Sequence, residues 1–264
     1  MNAKPTHLTP ENAARFQQQS LVARYHLRPP YPPEVFDILV SLINDQPRTV
    51  LDVGTGIGDL ARPLAARVER VDAVDVSTSM IAKGRREPGG DDPHLRWIVG
   101  RLEDAPLSPP YTLIIGGESI HWLDWQTAFA RFRQMLTPNG YVVLLSRIGL
   151  PVPWDQELGR LIQRFSLVQN YQAYDLAEEL EKGGFFRLTG ERTTMPVPFR
   201  QSVEDYINSF HSMTSLSVED MRPDDLRDFD TSLREMVMPY SEGGFVTLQT
   251  AAQLQWGKPT APPI

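Results

Sequence analysis

The rhythm of hydrophobic and polar positions changes twice along the chain. Over the first 30 residues it is helical: Thr9 is placed to cap a helix, Pro10 suits its first turn, and the pattern stops at Arg28-Pro29-Pro30. A second helix is expected from about Pro32-Pro33, with Val35, Phe36, Leu39, Leu42 and Ile43 on one face. Short, almost wholly apolar runs then take over at 49–53, 71–76, 95–99, 111–115 and 141–146. Helical stretches at 59–68, 79–86 and 125–136 separate several of them. A run with no polar alternation is buried on both faces, and strands separated by helices pair in parallel. Residues 49–147 therefore predict a doubly wound, mostly parallel α/β sheet.

Beyond Pro153 the helical rhythm returns, at 154–169, 173–183, 202–213 and 224–238, broken by strands at 185–197 and 245–256. Two late strands would complete the sheet through an antiparallel edge, giving about seven strands in all. The reading is a single domain over 1–264: an arm (1–30), a ligand-binding core (31–150), a helical cap with one late strand at about 185–197 (151–243), and a final strand (244–257). The tail KPTAPPI is expected to fray.

Candidate chemistry concentrates in VLDVGTGIGDL, residues 50–60. A strand runs into Gly54, Gly56 and Gly58 and a helix follows, so the backbone turns tightly and meets a ligand at a helix N-terminus. The spacing is G-x-G-x-G, one residue short of the dinucleotide pattern, which favours S-adenosylmethionine over a nicotinamide cofactor. The next strand ends at Asp75, 21 residues after Gly54. An acid there can accept both hydroxyls of a ribose.

Five blocks in this order resemble class I S-adenosylmethionine-dependent methyltransferases: VLDVGTGIGDL, VDAVDVSTSMI, VGRLEDAPL, YTLIIGGESIHWLDW and LTPNGYVVLL. The resemblance implies a Rossmann-like sheet with S-adenosylmethionine as cofactor. It places Gly54, Thr55 and Gly56 around the methionine part, Asp75 on the ribose, and Val76 and Met80 against adenine. Glu103 would receive the adenine amino group beside the backbone of Leu102, and Gly116 and Gly117 would border the sulfonium. Several roles have a competing reading. Asp52 is a cofactor contact or an anchor for the glycine loop; Met80 is adenine wall or plain core; Asp104 competes with Glu103. Pro63 departs from the pattern, since it falls inside the helix after the loop.

The arm segment RYHLRPPYP, residues 24–32, resembles that of small-molecule methyltransferases similar to trans-aconitate methyltransferase, in which such an arm closes over the cofactor. Tyr25, Tyr31 and Trp122 are candidates to face a cation on the substrate side. Arg28 would bind a carboxylate, of cofactor or substrate, or is a surface Arg at a helix end. His121 lies after the fourth strand, at the end of the sheet where ligands bind, as a general base or a wall residue. A carboxylate acceptor needs no base at neutral pH, whereas a phenol would profit from one.

Composition narrows these readings. With 26 Lys plus Arg against 33 Asp plus Glu, the net charge of −7 argues against a nucleic-acid partner. The absence of Cys removes disulfides, thiolate-bound metals and thiol catalysis, and no metal site is expected. No signal-peptide core and no run of about 18 apolar residues occurs, so a cytoplasmic protein without a membrane partner is expected. The favoured function is in-line methyl transfer to a small molecule, on a carboxylate or hydroxyl oxygen before carbon or nitrogen. The alternatives are a non-catalytic cofactor-binding regulator and a nucleic-acid or protein methyltransferase.

Overall fold

The computed structural model describes residues 4–5, 7–168, 171 and 173–261. The arm is a chain of short helices, α1 (Pro10–Ala14) and α2 (Gln19–Arg24), each running on into a 3-10 turn. Thr9 caps α1 by accepting from the Asn12 amide at 3.2 Å, and Pro10 occupies the first turn. The core follows: α3 (Glu34–Ser41), β1 (Thr49–Val53), α4 (Ala61–Ala65), β2 (Arg70–Asp75), α5 (Thr78–Gly84), β3 (Leu95–Val99), β4 (Tyr111–Gly117), α6 (Trp125–Met135) and β5 (Leu136–Gly149). The remainder is α7 (Asp155–Phe165), α8 (Leu176–Lys182), β6 (Phe186–Thr193), β7 (Val197–Ser202), α9 (Val203–Phe210), α10 (Pro223–Val237) and β8 (Phe245–Pro259).

One mixed sheet runs β3-β2-β1-β4-β5-β8-β6, with β7 also paired to β8. The β1–β5 pairings are parallel, and β8 is antiparallel to β5, β6 and β7. Every residue of β1 is buried, as its mostly apolar run requires, the carboxyl of Asp52 included. The antiparallel edge is as expected, but the sheet has eight strands, not seven. The single strand expected at 185–197 ends at Thr193, and a second begins at Val197. Thr194 still pairs with Ala252, but Pro196 has no amide to continue the ladder. Thus β6 pairs with the far half of the long β8 and β7 with its near half, end to end along one side.

The helix after the glycine loop is shorter than the expected 59–68, spanning Ala61–Ala65. Its start explains Pro63: the proline sits in the first turn, where an amide would have no intrahelical partner. Two apolar clusters cover the faces of the sheet, one with α3 and α4, the other with α6. The helix α8 joins the second cluster through Ala177 and Leu180. A separate cluster, built on Trp154, Leu161, Tyr206, Phe229 and Leu233, knits α7, α9 and α10 into the cap. Among the described residues no helix is long and apolar enough to cross a membrane.

Candidate active site

The site lies beyond the carboxyl ends of β1, β2, β3 and β4. Gly54 and Gly56 adopt φ of +65° and +57°, which side-chain-bearing residues rarely do. A Cβ on Gly54 would stand 2.6 Å from Cβ of Ser119. The loop is held from β2: Asp75 Oδ2 accepts from the Gly56 amide at 2.8 Å and Oδ1 from the Ser77 amide at 2.7 Å. Burial raises the Asp75 pKa, against those two hydrogen bonds. Each oxygen keeps a second lone pair for a further donor. Asp52 is 2% exposed, and its Oδ2 accepts from Thr55 Oγ1 at 2.6 Å. Burial pushes the Asp52 carboxyl up to about 7, with Thr55 opposing and the charge of Asp75 assisting.

These ends enclose a cavity of about 260 Å³, walled among others by Gly54, Gly56, Asp75, Val76, Met80, Leu102, Glu103 and Gly117. The arm closes it with Phe16 and Tyr25, and the loop after β4 adds Trp122. Met80 is wall and core at once, packed with Leu21, Val22 and Ile57 at 2% exposure. Glu103 Oε2 accepts from Arg101 Nε at 3.3 Å. Asp52, Thr55 and Tyr31 instead border a much smaller polar gap between arm and loop, with Asp59 and Arg147. Gly116 lines none of these spaces; a Cβ there would run into Ile120, so its smallness serves packing.

Two residues absent from the sequence reading organise the polar centre. Arg147, at the end of β5, pairs with Asp59 at 2.7 Å and with Glu118 at 3.0 Å, and donates to the Pro29 carbonyl at 2.8 Å. Its guanidinium stacks on Tyr31, 4.0 Å from the ring centroid. Glu118 has φ of +59°, alone among the described non-glycine residues in the left-handed region. That strain, of order 1–3 kcal/mol, sets its carboxylate against Arg147. A charge interrupting the apolar run of β5 and an acid directly after Gly116-Gly117 were the available signals.

Two further cavities, of about 400 and 750 Å³, lie under the cap and meet at Phe16, Arg28, His121, Trp122 and Met213. The smaller also reaches Glu118, which with Phe16 and Trp122 it shares with the cavity at the glycine loop. Burial lowers the His121 pKa to about 4, so its imidazole is neutral at pH 7. Arg28 donates from Nε to Ser212 Oγ at 2.9 Å and from an Nη to the Ser212 carbonyl at 2.6 Å, over the ring of Tyr25. Among the described residues three buried polar atoms on this side lack a hydrogen-bond partner, His7 Nδ1, Trp122 Nε1 and Gln201 Oε1. His211, in contrast, is occupied at both nitrogens by the Leu216 carbonyl and Asp230, each at 2.8 Å.

Comparison with known proteins agrees with this fold. Residues 50–140 match the family model described as a methyltransferase domain. A malonyl-[acyl-carrier protein] O-methyltransferase of Halalkalibacterium halodurans is 32% identical over 112 residues, 40% of this chain and 41% of that protein. The chain thus spans about two fifths of the length of that curated relative. A structure from Anaeromyxobacter dehalogenans described as a type II methyltransferase superposes with TM-score 0.64 at 19% identity, over 89% of this chain and 99% of the other. An S-adenosylmethionine-dependent methyltransferase from Thiobacillus denitrificans, solved with S-adenosylhomocysteine, gives 0.52 at 14% identity over 90% and 97%. The fold is that of class I S-adenosylmethionine-dependent methyltransferases.

Proposed function

We propose that this chain binds S-adenosylmethionine in the 260 Å³ cavity and transfers its methyl group to a small molecule held under the cap. One observation carries the reading. Eight residues from four separate strand ends, Gly54 to Gly117, converge on a single cavity that adjoins the cap cavities at Phe16, Glu118 and Trp122. The groups present fit the cofactor. Gly54 and Gly56 put bare backbone on the cavity wall, and Asp75 has lone pairs free for ribose hydroxyls. Tyr25, Trp122 and Glu118 offer two aromatic faces and a carboxylate to a sulfonium cation.

The cofactor supplies a methyl group that is already electrophilic. The chain's own residues have to orient the acceptor in line with it and keep water out, and orientation alone is worth several kcal/mol. Phe16 and Tyr25 of the arm cover the cavity. Glu118 and Trp122 stand where the two spaces meet, so the reacting atom passes between them. A carboxylate acceptor attacks without losing a proton. A hydroxyl acceptor would give its proton to His121, which is neutral and lines the acceptor side. Oxygen is the favoured acceptor atom, in keeping with the O-methyltransferase named among the relatives.

Calorimetry with S-adenosylhomocysteine tests the cofactor assignment. Asp75→Ala is expected to weaken binding by about 30-fold or more, since it removes a charge-assisted hydrogen bond and loosens the loop. Equal affinity in wild type and variant would sink it. Incubation with labelled methyl donor and either a metabolite extract or bulk RNA and protein tests the acceptor class. Label in the macromolecules alone would overturn the small-molecule reading.

A further inference from the structure

The two guanidinium groups beside the acceptor space differ in one respect. Arg147 is compensated by Asp59 and Glu118. Arg28, among the described residues, has neutral partners: the hydroxyl and carbonyl of Ser212, the Tyr25 hydroxyl at 3.4 Å and the Tyr25 ring. It lines both cap cavities and neither space on the glycine-loop side. A half-buried cation without a counter-ion, with N–H groups to spare, is a seat for an anion. Its place assigns that anion to the acceptor, not to the cofactor's methionine end.

The second observation is Gly159, in the middle of α7. Glycine is a poor helix former, so an interior position calls for a reason. Its backbone is not in the left-handed region, and a Cβ there would meet nothing within 4 Å. Neither conformation nor packing requires it. It does form part of the wall of the 750 Å³ cavity, whose apolar lining includes Phe16, Ile162 and Met213. Gly159 is itself exposed, at the rim of this cavity, and shares one helix face with the lining residues Ile162, Gln163 and Ser166, so a side chain here would project over the space that Arg28 borders.

We propose that the acceptor is an elongated amphipathic anion, anchored at Arg28 with its apolar body in the chamber that Gly159 keeps open. The proposal rests on the methyltransferase reading only in naming this ligand the acceptor. Short polyanions would leave the chamber's apolar wall uncovered, and a neutral molecule would leave Arg28 uncompensated.

The test is equilibrium binding of straight-chain monocarboxylates of two to twelve carbons and the matching primary alcohols, each to the chain alone and to its complex with S-adenosylhomocysteine. Affinity is expected to rise about threefold per methylene, as for apolar burial. Carboxylates are expected to bind at least about tenfold tighter than the alcohols. Arg28→Gln should erase the acid-to-alcohol ratio, and Gly159→Phe should flatten the length dependence. Should Gly159→Phe unfold the cap, Met213→Trp narrows the same chamber. Affinity independent of length, equal binding of acids and alcohols, or a slope that survives both chamber-filling variants overturns the proposal. Failure of S-adenosylhomocysteine to bind would instead count against the cofactor reading, while the carboxylate series on the chain alone still decides this one.

Discussion

The cofactor side and the acceptor side of this molecule are built by different means. At the glycine loop the contacts come from backbone atoms and first side chains at strand ends, each set supplied by a few consecutive residues around 54–56, 75–80, 100–103 and 117–119. Under the cap the walls are side chains brought together from the arm, the loop after β4, α7 and the segment after β7. Arg15 with Asp220, Gln18 with Ser217 and Arg28 with Ser212 join residues some two hundred positions apart. Backbone-built sites tolerate no change of conformation, whereas side-chain-built sites can be retuned one residue at a time.

Gly54→Ala probes that difference most severely. It combines a costly left-handed φ with a Cβ 2.6 Å from Ser119, so affinity for S-adenosylhomocysteine should fall by about 100-fold or more. Carboxylate binding at Arg28 should change far less. Equal loss at both sites would mean that the two regions are one unit. Next comes Arg147→Leu, which strands Glu118 and leaves Asp59 only its longer pair with Arg62 at 3.3 Å. Arg147's side chain is 10% exposed, but its partners are 24% and 32% exposed, so the loss should be about 2–3 kcal/mol, short of a fully buried pair. Chemical denaturation measures it, and a loss under about 0.5 kcal/mol would reduce the network to a solvated surface pair.

The same contrast governs what could be read from the sequence. The five core strands were legible because β1, β2 and β4 are largely buried on both faces and carry apolar runs broken only by single polar residues such as Asp52, Asp72 and Thr112. The glycine loop was legible because its chemistry needs adjacent residues. The break between β6 and β7 was hidden: the ladder fails at Pro196, and only the pairing with β8 shows that two strands share one side of it. Glu118 and Arg147 were missed because each gains its meaning from the other, 29 positions away. Gly159 gave only the signal of a glycine inside an expected helix, and the chamber beside it left no mark on residue spacing.

Buried titratable groups on the two sides predict opposite pH responses. Asp52 has a folded-state pKa of about 7 against about 4 when unfolded, so the folded chain holds the extra proton between those values. Stability should therefore fall as pH rises from about 4 to 7, with the cost fully present above 7. Asn keeps an acceptor for the Thr55 hydroxyl without the charge. Asp52→Asn should gain about 2 kcal/mol over wild type at pH 8 and little at pH 4. Urea midpoints at the two values check it, and a gain independent of pH would contradict the assignment.

His121 responds in the other direction and more weakly, because its ring is only partly buried. Folded, it protonates near 4; unfolded, near 6.5, so below 6.5 the unfolded chain takes the proton first. Its contribution is intact above about 6.5 and erodes as pH falls toward 4, by about 1–2 kcal/mol. His121→Gln should lose that part of the acid slope, seen as a smaller shift of the urea midpoint between pH 7 and 4.5. The same value sharpens its chemical role. If His121 takes a proton from a hydroxyl acceptor, the acid limb of the methyl-transfer rate should fall near pH 4 and vanish in the variant. A limb near 6.5 would show a solvated imidazole and remove the burial that defines this wall of the chamber.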